Sequence, residues 1–188
     1  MKSIVLMGIK HCGKSTQGKI LAKKLELPFF DTDSLIEEMN GMTCRQIYSE
    51  KGEAAFKTAE YQACKKIKDD LASKKNKCAV IATGGGICNN PEAIALLKSI
   101  AEFIFLKTPE QLAADRIVKE AKTDSQGNLT NIPAYIAKKN PRTKNDIREI
   151  FHDFYTERVK IYEELADTTV QMTDGSVEQN SDRILCSI

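Results

Sequence analysis

Eight residues near the start of the chain, Gly8-Ile9-Lys10-His11-Cys12-Gly13-Lys14-Ser15, fill the pattern GxxxxGK[ST] completely. They follow an apolar run, Ser3 to Met7, and open a stretch, Lys14 to Leu25, with apolar residues at helical spacing. A buried strand, a glycine loop and a helix, in that order, form the setting in which this pattern cradles phosphate. Glycine lets the backbone curl so that successive N–H groups face phosphate oxygens. The helix N-terminus adds positive potential. Lys14 is placed to reach the β- and γ-phosphates, and the Ser15 hydroxyl to ligate Mg²⁺. Gly8, Cys12, Gly13 and Thr16 complete the loop that would touch the nucleotide. The expected ligands are ATP and Mg²⁺.

The rest of the chain alternates strand and helix. Pro28-Phe29-Phe30, Cys78 to Ala82, Glu102 to Leu106 and Thr168 to Met172 read as strands. Helices are expected after Asp33 and Ser34, over Thr43 to Tyr48, Gly52 to Leu71, Pro91 to Lys98 and Asp146 to Leu165. Thr108, with Pro109 next and Gln111 three residues on, predicts a capped helix start. The tail has room for one short helix. Residues 119–144 show little periodicity and contain the turn-rich Asp124-Ser125-Gln126-Gly127-Asn128. A polar stretch of that length in a compact domain is usually functional or disordered. This order implies an α/β fold of the three-layer P-loop NTPase type, a parallel sheet with helices on both faces. One domain over residues 1–188 is expected. Ligands of such sheets bind at the C-terminal strand ends.

Asp31 and Asp33 lie just past the second strand. In an extended segment, residues two apart project to one side. Phosphoryl transfer needs an acid near the metal and another near the accepting hydroxyl. Asp31 suits the metal, and Asp33 suits the hydroxyl as orienting group or base. The alternative is that Asp33 serves only as a helix cap.

Taken together, GxxxxGKST, FFDTDSLIEE, GEAAFKTAE, ATGGG and the ERVKIYEELAD helix resemble shikimate kinase in order and spacing over nearly the whole chain. The resemblance implies a monomeric kinase that phosphorylates a hydroxyl of shikimate. It implies that Lys14 and Asp33 are catalytic and that Asp33 holds the substrate hydroxyls. It further implies that Gly84, Gly85 and Gly86 line the substrate pocket, that Arg158 pairs with the substrate carboxylate, and that Arg116 sits by the adenine and phosphates. Residues 119–144 would form a lid over ATP. Two positions depart from the family. Lys57 stands where the family has an arginine, which keeps the charge but loses the planar fork. The nearest match to the family's lid Arg-Pro pair is Ile132-Pro133, which has no charge, leaving Lys122, Lys138, Lys139 or Arg142 to supply a lid cation. A kinase of another small hydroxy acid or polyol, and a nucleotide-binding module with little activity, stay open as alternatives.

Composition narrows the remaining classes. A formal net charge of +2 and no aromatic-basic stripe argue against nucleic-acid binding. The longest apolar runs are too short for an export signal or a membrane span, so a cytoplasmic location is expected. The six cysteines show no CxxC spacing, which excludes the usual zinc patterns. Cys12, in the loop beside a helix N-terminus, reads as an inert small residue or as a stabilised thiolate.

Overall fold

A computed structural model describes residues 2–73 and 78–188. Strand β1 (Ser3–Met7) is buried along its whole length. Helix α1 (Lys14–Leu25) follows the phosphate loop with the expected bounds, and β2 (Phe29–Asp31) comes next. Then come α2 (Thr32–Asn40), the short α3 (Cys44–Gln46) with a π-helical turn at Ile47–Lys51, and the long α4 (Gly52–Ser73). Strand β3 (Val80–Ala82) leads through a 3₁₀ turn at Ile87–Asn89 into α5 (Pro91–Lys98), and β4 (Ala101–Lys107) into α6 (Glu110–Glu120). The remainder is a small hairpin of β5 (Lys122–Thr123) and β6 (Leu129–Thr130), α7 (Ala134–Ala137), α8 (Lys144–Leu165), β7 (Thr168–Gln171) and α9 (Val177–Leu185).

Five strands form one parallel sheet in the order β2-β3-β1-β4-β7. The chain reverses direction across the sheet on either side of β1, so β1 and β3 open a crevice at their C-terminal ends. Helices cover both faces, which is why β1 and β4 read as near-continuous apolar runs rather than alternating ones. Val5, Leu6, Phe103, Phe105, Phe151 and Tyr162 anchor the core. Phe105 stacks on Tyr162, with ring centroids 5.3 Å apart, and so fastens α8 to the sheet.

Two local expectations are corrected. Thr108 does not cap α6: Pro109 takes the cap position with no side-chain bond, and the Thr108 hydroxyl is buried. The Thr108 carbonyl instead accepts from the Tyr155 hydroxyl at 2.9 Å, a tertiary tie to α8. Likewise, neither Asp33 nor Ser34 caps α2. Asp31 does, its Oδ1 accepting from the Asp33 and Ser34 amides at 3.1 and 3.3 Å. Asp33 therefore lies in the first helical turn, not in an extended segment.

Candidate active site

The crevice holds a cavity of about 600 Å³. Its floor is the phosphate loop: Lys10, His11, Gly13, Lys14, Ser15 and Thr16 line it. Gly85 presses against this loop, since a Cβ there would fall 2.9 Å from the Lys10 amide nitrogen, and backbone cannot yield as a side chain can. The Lys14 ammonium donates to the Gly8 and Ile9 carbonyls, each at 2.9 Å, and lies 3.6 Å from Cys12 Sγ. All three of its protons thus have partners inside the loop. Ser15 Oγ donates to Asp31 Oδ2 at 2.5 Å. One carboxylate therefore caps α2 with one oxygen and reaches the loop hydroxyl with the other, a pair fitted to hold a hard divalent cation at its oxygens.

Asp33 also lines the cavity, and its Oδ1 is buried without a hydrogen-bond partner. Burial pushes its carboxyl up from the usual range and the neighbouring Asp31 adds to this, while Lys14 opposes it. Its other neighbour is Glu60 on α4, whose Oε1 is likewise buried and unpartnered. Gly84 separates the two: a Cβ there would lie 2.7 Å from Asp33 Oδ1 and 3.4 Å from Glu60 Oε1. Burial pushes Glu60 up to about 7.

The far wall comes from α8 and α7. The Arg158 guanidinium lies over the Phe154 ring, 4.8 Å from its centroid, and against Cys88 Sγ. Phe154 stacks on Tyr135 of α7 at 3.7 Å and 11°. Tyr162 fixes the glycine run by donating to the Gly85 carbonyl at 2.9 Å. Two contacts close the mouth in opposite directions. Arg45 on α3 donates to the Ile132 carbonyl at 2.7 Å. Lys138 donates to the Tyr48 hydroxyl at 3.1 Å and sits over that ring.

Most of the expected site residues converge here, but not all. Gly86 lines the cavity, and Gly84 lies behind it under Asp33. Arg116 reaches the loop's outer side, donating to the His11 carbonyl at 2.8 Å, and so braces a residue held at φ 65°. Lys57 does not line the cavity; its ammonium pairs with Glu53 at 2.9 Å. Cys12 lies in the loop but is buried, 2% exposed, and its N–H donates to the Ile9 carbonyl at 3.3 Å. Of the four lid cations, Lys138 alone faces the cavity. Of the aromatic walls, Phe56 falls inside the GEAAFKTAE motif, whereas Tyr48, Tyr135 and Phe154 had no motif to announce them and lie in other segments.

Known proteins agree with this geometry. The family described as shikimate kinase matches residues 10–188. A shikimate kinase of Enterococcus faecalis is 35% identical over 186 residues, covering 98% of this chain and 97% of its own. One from Aquifex aeolicus is 34% identical over 159 residues, covering 85% of this chain and 80% of its own. The solved structure of shikimate kinase from Acinetobacter baumannii in complex with shikimate superposes with a TM-score of 0.73 at 28% identity, covering 98% of this chain and 91% of that one. With the phosphate loop, the Asp31–Ser15 pair and the glycine run in the same crevice, the chain belongs to the shikimate kinase family of small-molecule phosphotransferases.

Proposed function

We propose that the chain transfers the γ-phosphoryl group of ATP to a hydroxyl of shikimate, as a cytoplasmic monomer. The observation that carries this reading is Asp33 Oδ1, buried and unpartnered in a cavity floored by the phosphate loop. A buried acceptor oxygen without a donor is costly unless a ligand supplies the donor. A substrate hydroxyl supplies it here.

The backbone of residues 8–16 cradles the phosphates. Lys14 exchanges its loop carbonyls for β- and γ-oxygens, and Arg116 keeps the loop in shape through His11. Ser15 and Asp31 are the residues that would hold Mg²⁺, which when bound neutralises charge on the β- and γ-phosphoryl oxygens. Asp33 accepts the hydroxyl proton while the hydroxyl oxygen bonds to the γ-phosphorus and the bridge to the β-phosphate breaks. A carboxyl raised toward neutrality is the stronger base for this. Gly84–Gly86 shape the acceptor pocket and Arg158 pairs with its carboxylate, a fork-to-fork contact. Residues 119–144 act as the lid. Lys138 is its cation on the cavity, and closure of the lid excludes water.

A coupled ADP-release assay with Mg·ATP and a panel of small hydroxy acids and polyols tests this. Stimulation by shikimate above the others is the expected result. Stimulation by a different acceptor would move the substrate assignment, and ATP binding without any stimulation would end the kinase reading.

A further inference from the structure

Among the described residues, five cationic side chains line the cavity, Lys10, Lys14, Arg45, Lys138 and Arg158, against the single carboxylate of Asp33. Such a balance is built for anions. The phosphates account for the loop end. Lys14 and Lys10 belong to the phosphate loop, and Lys138 rests on Tyr48. Two guanidinium groups are left, Arg158 and Arg45.

Arg45 stands in the segment that forms the acceptor end. Its neighbours Cys44, Tyr48 and Ser49 line the same wall, and Cys44 Sγ lies 3.6 Å from the Asp33 carbonyl. The side chain spends one N–H on the Ile132 carbonyl. A guanidinium carries five donors in a planar fork, so four remain for a ligand of the cavity that Arg45 lines. Lys57, by contrast, is turned to Glu53.

We infer that Arg45 is a substrate-binding residue that, together with Arg158, holds the carboxylate of the acceptor, and that it ties acceptor binding to the lid through the Ile132 carbonyl. The inference rests on the kinase reading above. One planar group then touches both the acceptor and the lid backbone. An anionic acceptor fixes the Arg45 fork, and the fork fixes the lid at residue 132. A neutral acceptor of the same shape gains neither effect.

The test is steady-state kinetics of the wild type, Arg45→Ala and Arg45→Lys, with shikimate and with its neutral methyl ester. A hydrogen bond between charged partners corresponds to roughly 10- to 100-fold in affinity. Arg45→Ala is therefore expected to lower kcat/KM for shikimate by that factor, through KM, with the KM for ATP within about twofold. Arg45→Lys should recover only part of the loss, because the fork is gone. With the methyl ester, wild type and Arg45→Ala should agree within about twofold. Equal losses on the two acceptors would overturn the inference and leave Arg45 as a lid latch. An unchanged KM, or a fall in kcat alone, would overturn it as well. No turnover of shikimate by the wild type would remove the kinase reading and the inference together, whereas normal wild-type turnover with an unaffected Arg45→Ala removes only the inference.

Discussion

Glu60 offers a quantitative check on the electrostatics beneath the site. Its side chain is 1% exposed, and burial pushes its carboxyl up to about 7 from an ordinary 4.5. Asp33 pushes the same way, while Asn90 and Lys57 pull it down. The unfolded chain releases this proton near 4.5, and the folded chain holds it to about 7. Stability from this group is therefore full below the unfolded value and is lost as pH rises through the folded one. At about 1.4 kcal/mol for each pH unit, the loss comes to about 3 kcal/mol by pH 8. Glu60→Gln removes the titration. Its amide oxygen can accept from Asn90 Nδ2, which now donates to Glu60 Oε2 at 3.0 Å. Its NH₂ then faces the space by Asp33 Oδ1, which has no donor. Urea unfolding of both proteins should show near-equal stability at about pH 4.5 and a gain for the variant of about 2–3 kcal/mol at pH 8. A difference that does not change with pH would refute the reasoning. It would mean that the folded protein keeps Glu60 charged, with Lys57 released from Glu53 to neutralise it.

Three variants of the site give further outcomes. Asp33→Asn should cut kcat by about 10²–10⁴ while ATP binding, followed by calorimetry, is retained. Because the Asp33 carboxyl is also raised by burial, the same variant should gain stability over wild type as pH rises above the ordinary carboxylate range, read by thermal melts at two pH values. Gly85→Ala should cost about 1–3 kcal/mol in urea unfolding and raise the KM for ATP, since the new Cβ would meet the Lys10 backbone. Arg116→Ala should weaken ATP binding by roughly tenfold through loss of a charged bond to the His11 carbonyl, with the KM for shikimate unchanged.

The phosphate loop, the sheet and Asp33 were legible because each rests on local rules: strand burial, a glycine-lysine pattern, and the residue types that phosphoryl transfer needs. Elsewhere the outcome was set by contacts that no motif announces. Thr108 has every local feature of a cap, yet its carbonyl is claimed by Tyr155, 47 positions away. Asp31 and Asp33 do converge, but through the capping turn of α2 and not through strand alternation. Lys57 fell outside the cavity because a glutamate one turn earlier captures it, a pairing open to any lysine at that spacing. Arg45 gave no local signal at all. Its place is set by the way α3 and the lid meet over the crevice, which only the assembled fold defines.

The position of β1 in the sheet has a consequence for how the chain is made. Its five buried residues pair with Ala101–Phe105 on one side, and Ile4–Leu6 pair with Val80–Ala82 on the other. β1 is therefore made long before it can be flanked on both sides. At about 5–20 residues per second, a hundred further residues take roughly 5–20 s to synthesise. Through that interval Ile4-Val5-Leu6-Met7 is an apolar segment with open edges, the kind that invites aggregation or a chaperone. A nascent chain arrested before Ala101 would keep the phosphate-loop motif yet lack the strand that closes the sheet beside it.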